Sequence, residues 1–330
     1  MLSESMDVPT ILITGINGFV GLALCAKMQE ENRLVRGTVR SGKHTSILPV
    51  GVKLVQVESI GPDTNWSDAL DGVNMTVHLA ARVHVMKDTS VDPLSAFREV
   101  NVAGAEHLAR MASQAGVRRF IYVSSVKVNG EGSKVAYSED DEPLPVDPYG
   151  ISKWEAEMVL HKVAAKTGME VVILRPPLVY GPSVKANFLR LLKLTKMGIP
   201  LPLASLKNQR SMIYVGNLVD AIMTCLEHPK AVGETFMVSD SEDVSTSDLI
   251  RMIAKAMGKK ARLIPFPLPL LKAVGQLFGK SPEIERLTGS LCIDSSKIRE
   301  VLGWKPPYTM EESIRETVKW YQNSSRSMMC

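Results

Sequence analysis

Residues Thr10–Gly21 read TILITGINGFVG. Thr10 to Ile13 is a short apolar, β-branched run, the mark of a buried strand. Glycines follow at Gly15, Gly18 and Gly21, and Val20, Leu22, Ala23 and Leu24 open an apolar helix face. Strand, glycine turn and helix, in that order, are what a dinucleotide pyrophosphate needs. One glycine permits the tight turn, and a middle one lets backbone approach the phosphates. The last lets the helix pack close to the strand, with its N-terminal N–H groups aimed at the anion. A glycine triplet is weak evidence by itself; its place between a strand and a helix carries the inference. Gly15, Asn17, Gly18, Phe19, Val20 and Gly21 are therefore the candidate pyrophosphate loop. A glycine-rich turn without a ligand fits the spacing less well.

The 330 residues are enough for one large α/β domain, or a large domain with a smaller companion. With 45% hydrophobic residues a sizeable core is available. The net charge of +4 is mild, and no Lys/Arg run is long enough to suggest a nucleic-acid or lipid surface. Cys25, Cys225, Cys292 and Cys330 form no CxxC pair, which suits neither a disulfide framework nor a metal site and fits a reducing cytoplasm. No signal peptide is visible, and no run approaches the roughly 18 apolar residues that span a bilayer. The most apolar patch, Ile264 to Phe278, is broken by Pro265, Pro267 and Pro269. It reads as a loop and a buried helix, with membrane contact as the lesser alternative.

Working outward, Arg33 to Arg40 alternates as a second strand. An acidic residue at its end would bind an adenosine ribose 2′-hydroxyl, whereas arginine accommodates a 2′-phosphate. No Asp or Glu occurs between Asn32 and Val57, and the strand runs into Arg40-Ser41-Gly42-Lys43. Arg40, Ser41 and Lys43 thus favour NADP(H), with NAD(H) possible; solvated loop cations are the plainer reading. Lys53 to Val57 is a third strand. Met75 to Ala81 is a fourth, whose Leu79-Ala80-Ala81 end lets a cofactor pass close. His78 reads as a packed core residue, and His84 receives no role. Pro93 to Ala115 reads as one long helix around Asn101, and Phe120 to Ser124 as a fifth strand running into Ser124-Ser125. Such alternation predicts a Rossmann-like, doubly wound parallel sheet with ligands beyond the carboxyl ends of its strands.

Asp147-Pro148-Tyr149-Gly150-Ile151-Ser152-Lys153 opens another helix. Tyr149 and Lys153 are four apart and share a helical face. A tyrosine has a pKa near 10, too high for a base at neutral pH. A neighbouring ammonium and an oxidised nicotinamide would both favour its phenolate. Such a tyrosine can exchange a proton with a sugar hydroxyl or carbonyl while hydride moves, with Ser125 holding the same oxygen. Alone, Tyr-x-x-x-Lys is an ordinary helical pair; behind the glycine turn and the Ser-ended strand it becomes a catalytic set. Ser124 and Lys127 flank Ser125 and join it as substrate-side candidates.

The chain resembles an extended short-chain dehydrogenase/reductase of the nucleotide-sugar epimerase/dehydratase group. The resemblance rests on TGINGFVG (14–21), HLAA (78–81), Asn101, Ser124-Ser125, YGISK (149–153), LRPPLVYGP (174–182), RSMIYVGNLVDAI (210–222) and DSSKIREVLGWKP (294–306). It implies Ser125, Tyr149 and Lys153 as the catalytic set, with Asn101 and Pro176 on the cofactor side. Asn187 is implied on the substrate side, and Arg210 as the residue that grips a diphosphate. It also implies a cofactor domain over residues 1–175 with a later strand from about 210–240, a smaller C-terminal substrate-binding domain over 176–330, and a homodimer. Three departures matter. The family's Val-Tyr-Gly after the catalytic Ser is Val128-Asn129-Gly130 here. The Asp-Glu pair by which dehydratases eliminate water is replaced by Val126-Lys127, and the acidic second-strand end that suits NAD is missing.

The resulting expectation is an enzyme acting at C4 of a UDP-hexose, N-acetylated or 6-deoxy, by 4-keto reduction. A UDP-glucose or UDP-N-acetylglucosamine 4-epimerase is the alternative. A catalytically silent NADP(H) sensor is disfavoured by the intact Ser125, Tyr149 and Lys153, and a reductase of a non-sugar carbonyl by Arg210. Asn187 to Leu194, Thr246 to Met257 and Met310 to Trp320 read as helices. Asp294, Lys297 and Trp304 read as structural, and Gln322 to Cys330 as a loose polar tail.

Overall fold

The computed structural model describes residues 8–40, 48, 51–83, 92–132 and 135–327. Seven parallel strands form one sheet in the order β3-β2-β1-β4-β5-β6-β9. These are β1 (Thr10–Thr14), β2 (Leu34–Arg40), β3 (Lys53–Val57), β4 (Met75–His78), β5 (Arg119–Val123), β6 (Glu170–Arg175) and β9 (Thr235–Met237). The reversal of order between β1 and β4 opens a crevice at the carboxyl ends, where a doubly wound sheet receives ligands. Two short strands, β7 (Leu178–Tyr180) and β8 (Met212–Tyr214), pair in parallel outside this sheet.

Alternation along β1 explains the layering. Ile11 and Ile13 join one apolar layer with Leu24, Cys25 and Met28 of α1 (Phe19–Glu30) and Leu218 and Ile222 of α7 (Val215–Glu227). Leu12 joins the other, with Leu108 of α4 (Gly104–Gln114) and Leu160 of α5 (Pro148–Thr167). Successive strand residues face opposite ways, so one short run serves both cores. A third apolar cluster gathers α6 (Ala186–Met197), α8 (Thr246–Ala256) and α12 (Met310–Ser327) around Phe188, Ile250, Ile253 and Ile314.

Four differences from the sequence reading have physical causes. The fourth strand ends at His78, and Leu79 to Ala81 leave the sheet as irregular chain. The single helix expected over Pro93 to Ala115 is α3 (Pro93–Arg98), a π-helical stretch Glu99–Ala103, and α4. Asn101 sits in that stretch, where the widened turn brings its buried amide onto two neighbouring elements. The polar tail is helical through Ser327, because Met310, Ile314, Val318 and Tyr321 bury one face of α12. Finally, α9 (Leu268–Leu277) is not a buried helix: Gly275 is its one buried residue.

Structural roles are plain for several polar groups. His78 is buried, shares a 2.7 Å hydrogen bond with the Thr14 hydroxyl and stacks on Tyr122. Trp304 donates its indole N–H to Asp220 at 2.7 Å, and Lys297 pairs with Glu234 at 2.9 Å. The Asp294 carboxylate accepts from the Ser296 N–H at 2.8 Å.

Candidate active site

The glycine turn behaves as its spacing predicts. Gly15 has φ +68°, and a Cβ there would stand 3.0 Å from the Ala80 backbone. At Gly21 a Cβ would meet the Gly15 carbonyl oxygen at 2.4 Å and that of Ile16 at 2.7 Å, so only glycine lets α1 lie this close to β1. Gly18 caps α1 without a side-chain acceptor, and no acidic residue occupies the first turn. The first amides of the helix are thus left for an anion. Ala80, held by its N–H on the Thr14 hydroxyl at 3.3 Å, forms the opposite wall. This bare-backbone cradle fits a dinucleotide pyrophosphate. Asn17, Phe19 and Val20 lie in or beside the same turn.

Arg40 ends β2 at the same rim of the sheet and is exposed. Ser41 and Lys43 lie outside the described residues, as does His84. The irregular Leu79-Ala80-Ala81 segment is fixed by the buried Asn101. Its side-chain oxygen accepts from the Arg82 N–H at 2.8 Å, and its amide donates to the Arg82 carbonyl and the Ser152 hydroxyl, each at 3.0 Å. Asn101 therefore ties the chain beyond β4 to the helix that carries Tyr149 and Lys153. Pro176 is buried just past β6, and its carbonyl accepts from the Val126 N–H at 3.0 Å.

That helix, α5, begins where the sequence dictates. Asp147 caps it by accepting from the Gly150 N–H at 2.7 Å, and Pro148 takes the first position, where no N–H is needed. Lys127 ion-pairs with Asp147 and Glu131, so its ammonium is spent on holding this cap rather than standing free for substrate. Ser125 faces the start of α5 and accepts from the Lys127 N–H at 3.2 Å. Tyr149 hydrogen-bonds with Ser125 and meets Phe97 edge-on, ring centres 6.2 Å apart.

Burial pushes the Tyr149 phenol up to about 12, the Ser125 hydrogen bond opposing it and Asp147 adding to the rise. The expected lowering by Lys153 is absent, because Lys153 is committed elsewhere. Its ammonium donates to the Val123 carbonyl at 2.7 Å and lies 4.1 Å from the centre of the Tyr122 ring. Burial brings Lys153 down to about 7, with Glu157 pulling the other way. Ser125, Tyr149 and Lys153 are thus gathered at the carboxyl end of β5, close to one another but without a Tyr149–Lys153 bond.

Beneath them lies a buried network that the motif reading missed. Glu157 of α5 and Arg175 of β6 pair at 2.6 Å, and Arg175 also donates to the Asn129 side chain at 3.1 Å. Ser124 donates its hydroxyl to Glu157, so it faces the interior rather than a substrate. The available signal was Glu157 itself, one helical turn past Lys153 on the same face.

On the far side, Asn187 is exposed near the start of α6. Arg210 sits at a crossing of chain segments, bridged to Val244 and Leu291. One guanidinium nitrogen donates to the carbonyls of Arg286 at 2.6 Å and Gly289 at 3.1 Å, which steadies the fork. Asn187 and Arg210 make no bond to Ser125, Tyr149 or Lys153. They are separate anchor candidates.

Comparison with known proteins bears on the family and the fold. Residues 11–239 match the model of the NAD dependent epimerase/dehydratase family. The chain is 45% identical over 314 residues to a Vibrio cholerae protein named UDP-glucose 4-epimerase, covering 94% of each. Among solved structures, the Thermotoga maritima UDP-glucose 4-epimerase with UDP-glucose superposes with a TM-score of 0.76 at 24% identity, over 96% of this chain and 99% of that one. The Bacillus cereus UDP-glucuronic acid 4-epimerase in complex with NAD gives 0.78 at 24% identity, over 95% and 96%. These two share the fold. With the family model spanning most of its length and a relative this similar throughout, the chain belongs to the NAD dependent epimerase/dehydratase family and is an enzyme of the extended short-chain dehydrogenase/reductase type.

Proposed function

We propose that this enzyme interconverts C4 epimers of a UDP-hexose, with NAD as its resident cofactor. The observation that carries the reading is the 45% identity, along 94% of both chains, to the Vibrio cholerae protein named UDP-glucose 4-epimerase. It favours epimerisation over the 4-keto reduction expected from Arg40. Val126-Lys127 in place of an acidic pair argues against dehydration.

The residues divide the work as follows. When bound, NAD would supply the hydride acceptor for C4 of the sugar, and its cationic nicotinamide would favour the Tyr149 phenolate. The glycine cradle and the first amides of α1 would hold its pyrophosphate, with Leu79, Ala80, Ala81 and Pro176 as the walls. Tyr149 takes the proton from the sugar 4-hydroxyl and returns it after hydride comes back to the other face of the 4-keto sugar. Ser125 shares that proton and steadies the oxygen. Lys153, anchored on Val123 and Tyr122, sits one helical turn below as the ribose-side cation. The chain through Arg175, with β9, serves the cofactor. The remainder serves the nucleotide sugar, Arg210 taking the diphosphate and Asn187 lying on the substrate side.

The test is incubation of the purified enzyme with UDP-glucose and UDP-N-acetylglucosamine, followed by chromatographic separation of the C4 epimers. A parallel arm offers a UDP-4-keto-6-deoxy-N-acetylhexosamine with NADPH and follows NADPH absorbance. Epimer formation without net NADPH loss is expected. Stoichiometric NADPH loss with no epimer would replace this reading by the 4-ketoreductase and restore the Arg40 argument.

A further inference from the structure

The amphipathic pattern of α9 runs the wrong way for a helix of a water-facing surface. Leu268 and Leu271 lean on the third apolar cluster, and Gly275 packs on Ile284 of α10 (Ser281–Thr288). The face beside it is apolar too. Leu270, Val274, Leu277 and Phe278 fall at i, i+4, i+7 and i+8, one helical stripe, and are 55%, 45%, 80% and 71% exposed. Ile264, on the approach to the helix, is 45% exposed. An exposed apolar residue standing singly needs no explanation, whereas a continuous stripe does.

The segment that carries the stripe is charged with one sign, the next acidic side chains being Glu283 and Glu285 on the neighbouring α10. Residues 259–282 contain Lys259, Lys260, Arg262, Lys272 and Lys280 and no Asp or Glu. Lys259 donates to the Lys196 carbonyl, Lys280 pairs loosely with Glu283 of α10 at 3.6 Å, and Lys260, Arg262 and Lys272 are exposed. An apolar stripe bordered by cations is complementary to an anionic lipid surface, where the side chains enter the acyl boundary and the cations meet the head groups. Among the described residues no helix is long and apolar enough to cross a membrane, so the contact is peripheral.

We propose that the α9 stripe docks this enzyme reversibly onto an anionic bilayer surface. The α9–α10 hairpin also supplies the Arg286 carbonyl that, with that of Gly289 just beyond α10, steadies Arg210. The docked face therefore adjoins the substrate side without containing the catalytic set.

The experiment is co-sedimentation of the full chain with phosphatidylglycerol-containing vesicles and with pure phosphatidylcholine vesicles. Expected is binding to the anionic vesicles that weakens with added salt. It should fall at least tenfold in a Leu277→Gln/Phe278→Ser variant, and roughly fivefold for each of Lys272→Gln and Lys280→Gln. Turnover of a water-soluble UDP-sugar should stay unchanged in all of them. Absence of sedimentation would overturn the proposal, as would equal binding by the Leu277→Gln/Phe278→Ser variant. Light scattering provides the other overturning result: a wild-type oligomer that this variant dissociates would assign the stripe to a second copy of the chain.

Discussion

Arg175 and Glu157 form a buried ion pair, 2.6 Å between Nη2 and Oε2, that ties β6 to the helix that carries the proposed catalytic tyrosine. Both side chains are almost wholly excluded from water, at 4% and 0% exposure. The remaining valences are filled: Ser124 donates to Glu157, and Asn129 accepts from Arg175 while donating to the Ser138 carbonyl at 3.0 Å. A satisfied network of this kind holds β5, α5 and β6 in one relative position, which is what keeps Ser125 opposite Tyr149.

Removing one partner leaves the other as an uncompensated buried charge. Glu157→Leu is expected to cost about 3–5 kcal/mol of stability in urea unfolding, and the double variant Glu157→Leu/Arg175→Met to recover most of it. Activity should remain depressed in the double variant, because Ser124 and Asn129 lose their partners and the β5–α5 spacing relaxes. A double variant no more stable than the single one would contradict the pairing argument.

Tyr149→Phe removes the proton-exchanging hydroxyl while keeping the ring against Phe97. Epimerisation should drop by roughly 10²–10⁴-fold with stability nearly unchanged. Ser125→Ala should cost less. In the wild type the rate should rise with pH, since the free phenol sits at about 12 and only its ionised form accepts a proton from sugar. A Tyr149→Phe enzyme that kept this pH profile would transfer the base role to another group.

The pH dependence of stability has a second source in His78. Burial is the main cause, and Lys153 a lesser one, that holds its pKa down at about 3 against an ordinary 6.5. Between those values the unfolded chain takes up a proton that the folded chain refuses, so the stability that His78 contributes is full above pH 6.5 and is lost as the pH drops towards about 3. His78→Asn should flatten that acid slope, whatever it costs at neutral pH. Urea midpoints measured across the window read the slope directly. An unchanged slope would mean that carboxylates alone set the acid limb.

How much of this was legible in the residues follows from where each signal resides. The glycine turn was readable because a tight backbone approach needs glycine at those places, and the capped start of α5 because Asp147-Pro148 is a local code. The placing of Tyr149 and Lys153 on one helix was legible, whereas their electrostatics were not. Spacing cannot say that Lys153 turns to the Val123 carbonyl and the Tyr122 ring, since those lie 30 and 31 positions away in sequence. Ser124 and Lys127 were read as substrate contacts from their closeness to Ser125. Strand alternation instead sends Ser124 inward to Glu157, and Lys127 is drawn to two carboxylates. The exposed face of α9 was invisible for a similar reason: an apolar run looks the same whether it is covered or bare.

The closest contact in the cofactor cradle offers the sharpest steric test. A Cβ at Gly21 would lie 2.4 Å from the Gly15 carbonyl oxygen and 2.7 Å from that of Ile16. Both obstacles are backbone, so neither can rotate away; α1 itself must shift off β1. Gly21→Ala should therefore lose NAD affinity by tenfold or more, read by calorimetric titration, and lower stability by roughly 1–3 kcal/mol as in other overpacked sites. Gly61→Ala is the matched control, since nothing lies within 4 Å of its added Cβ and its φ is not positive. It should bind NAD normally and be as stable as the wild type or slightly more so. If Gly21→Ala bound NAD as tightly as Gly61→Ala, the pyrophosphate would have to lie elsewhere than over the first turn of α1.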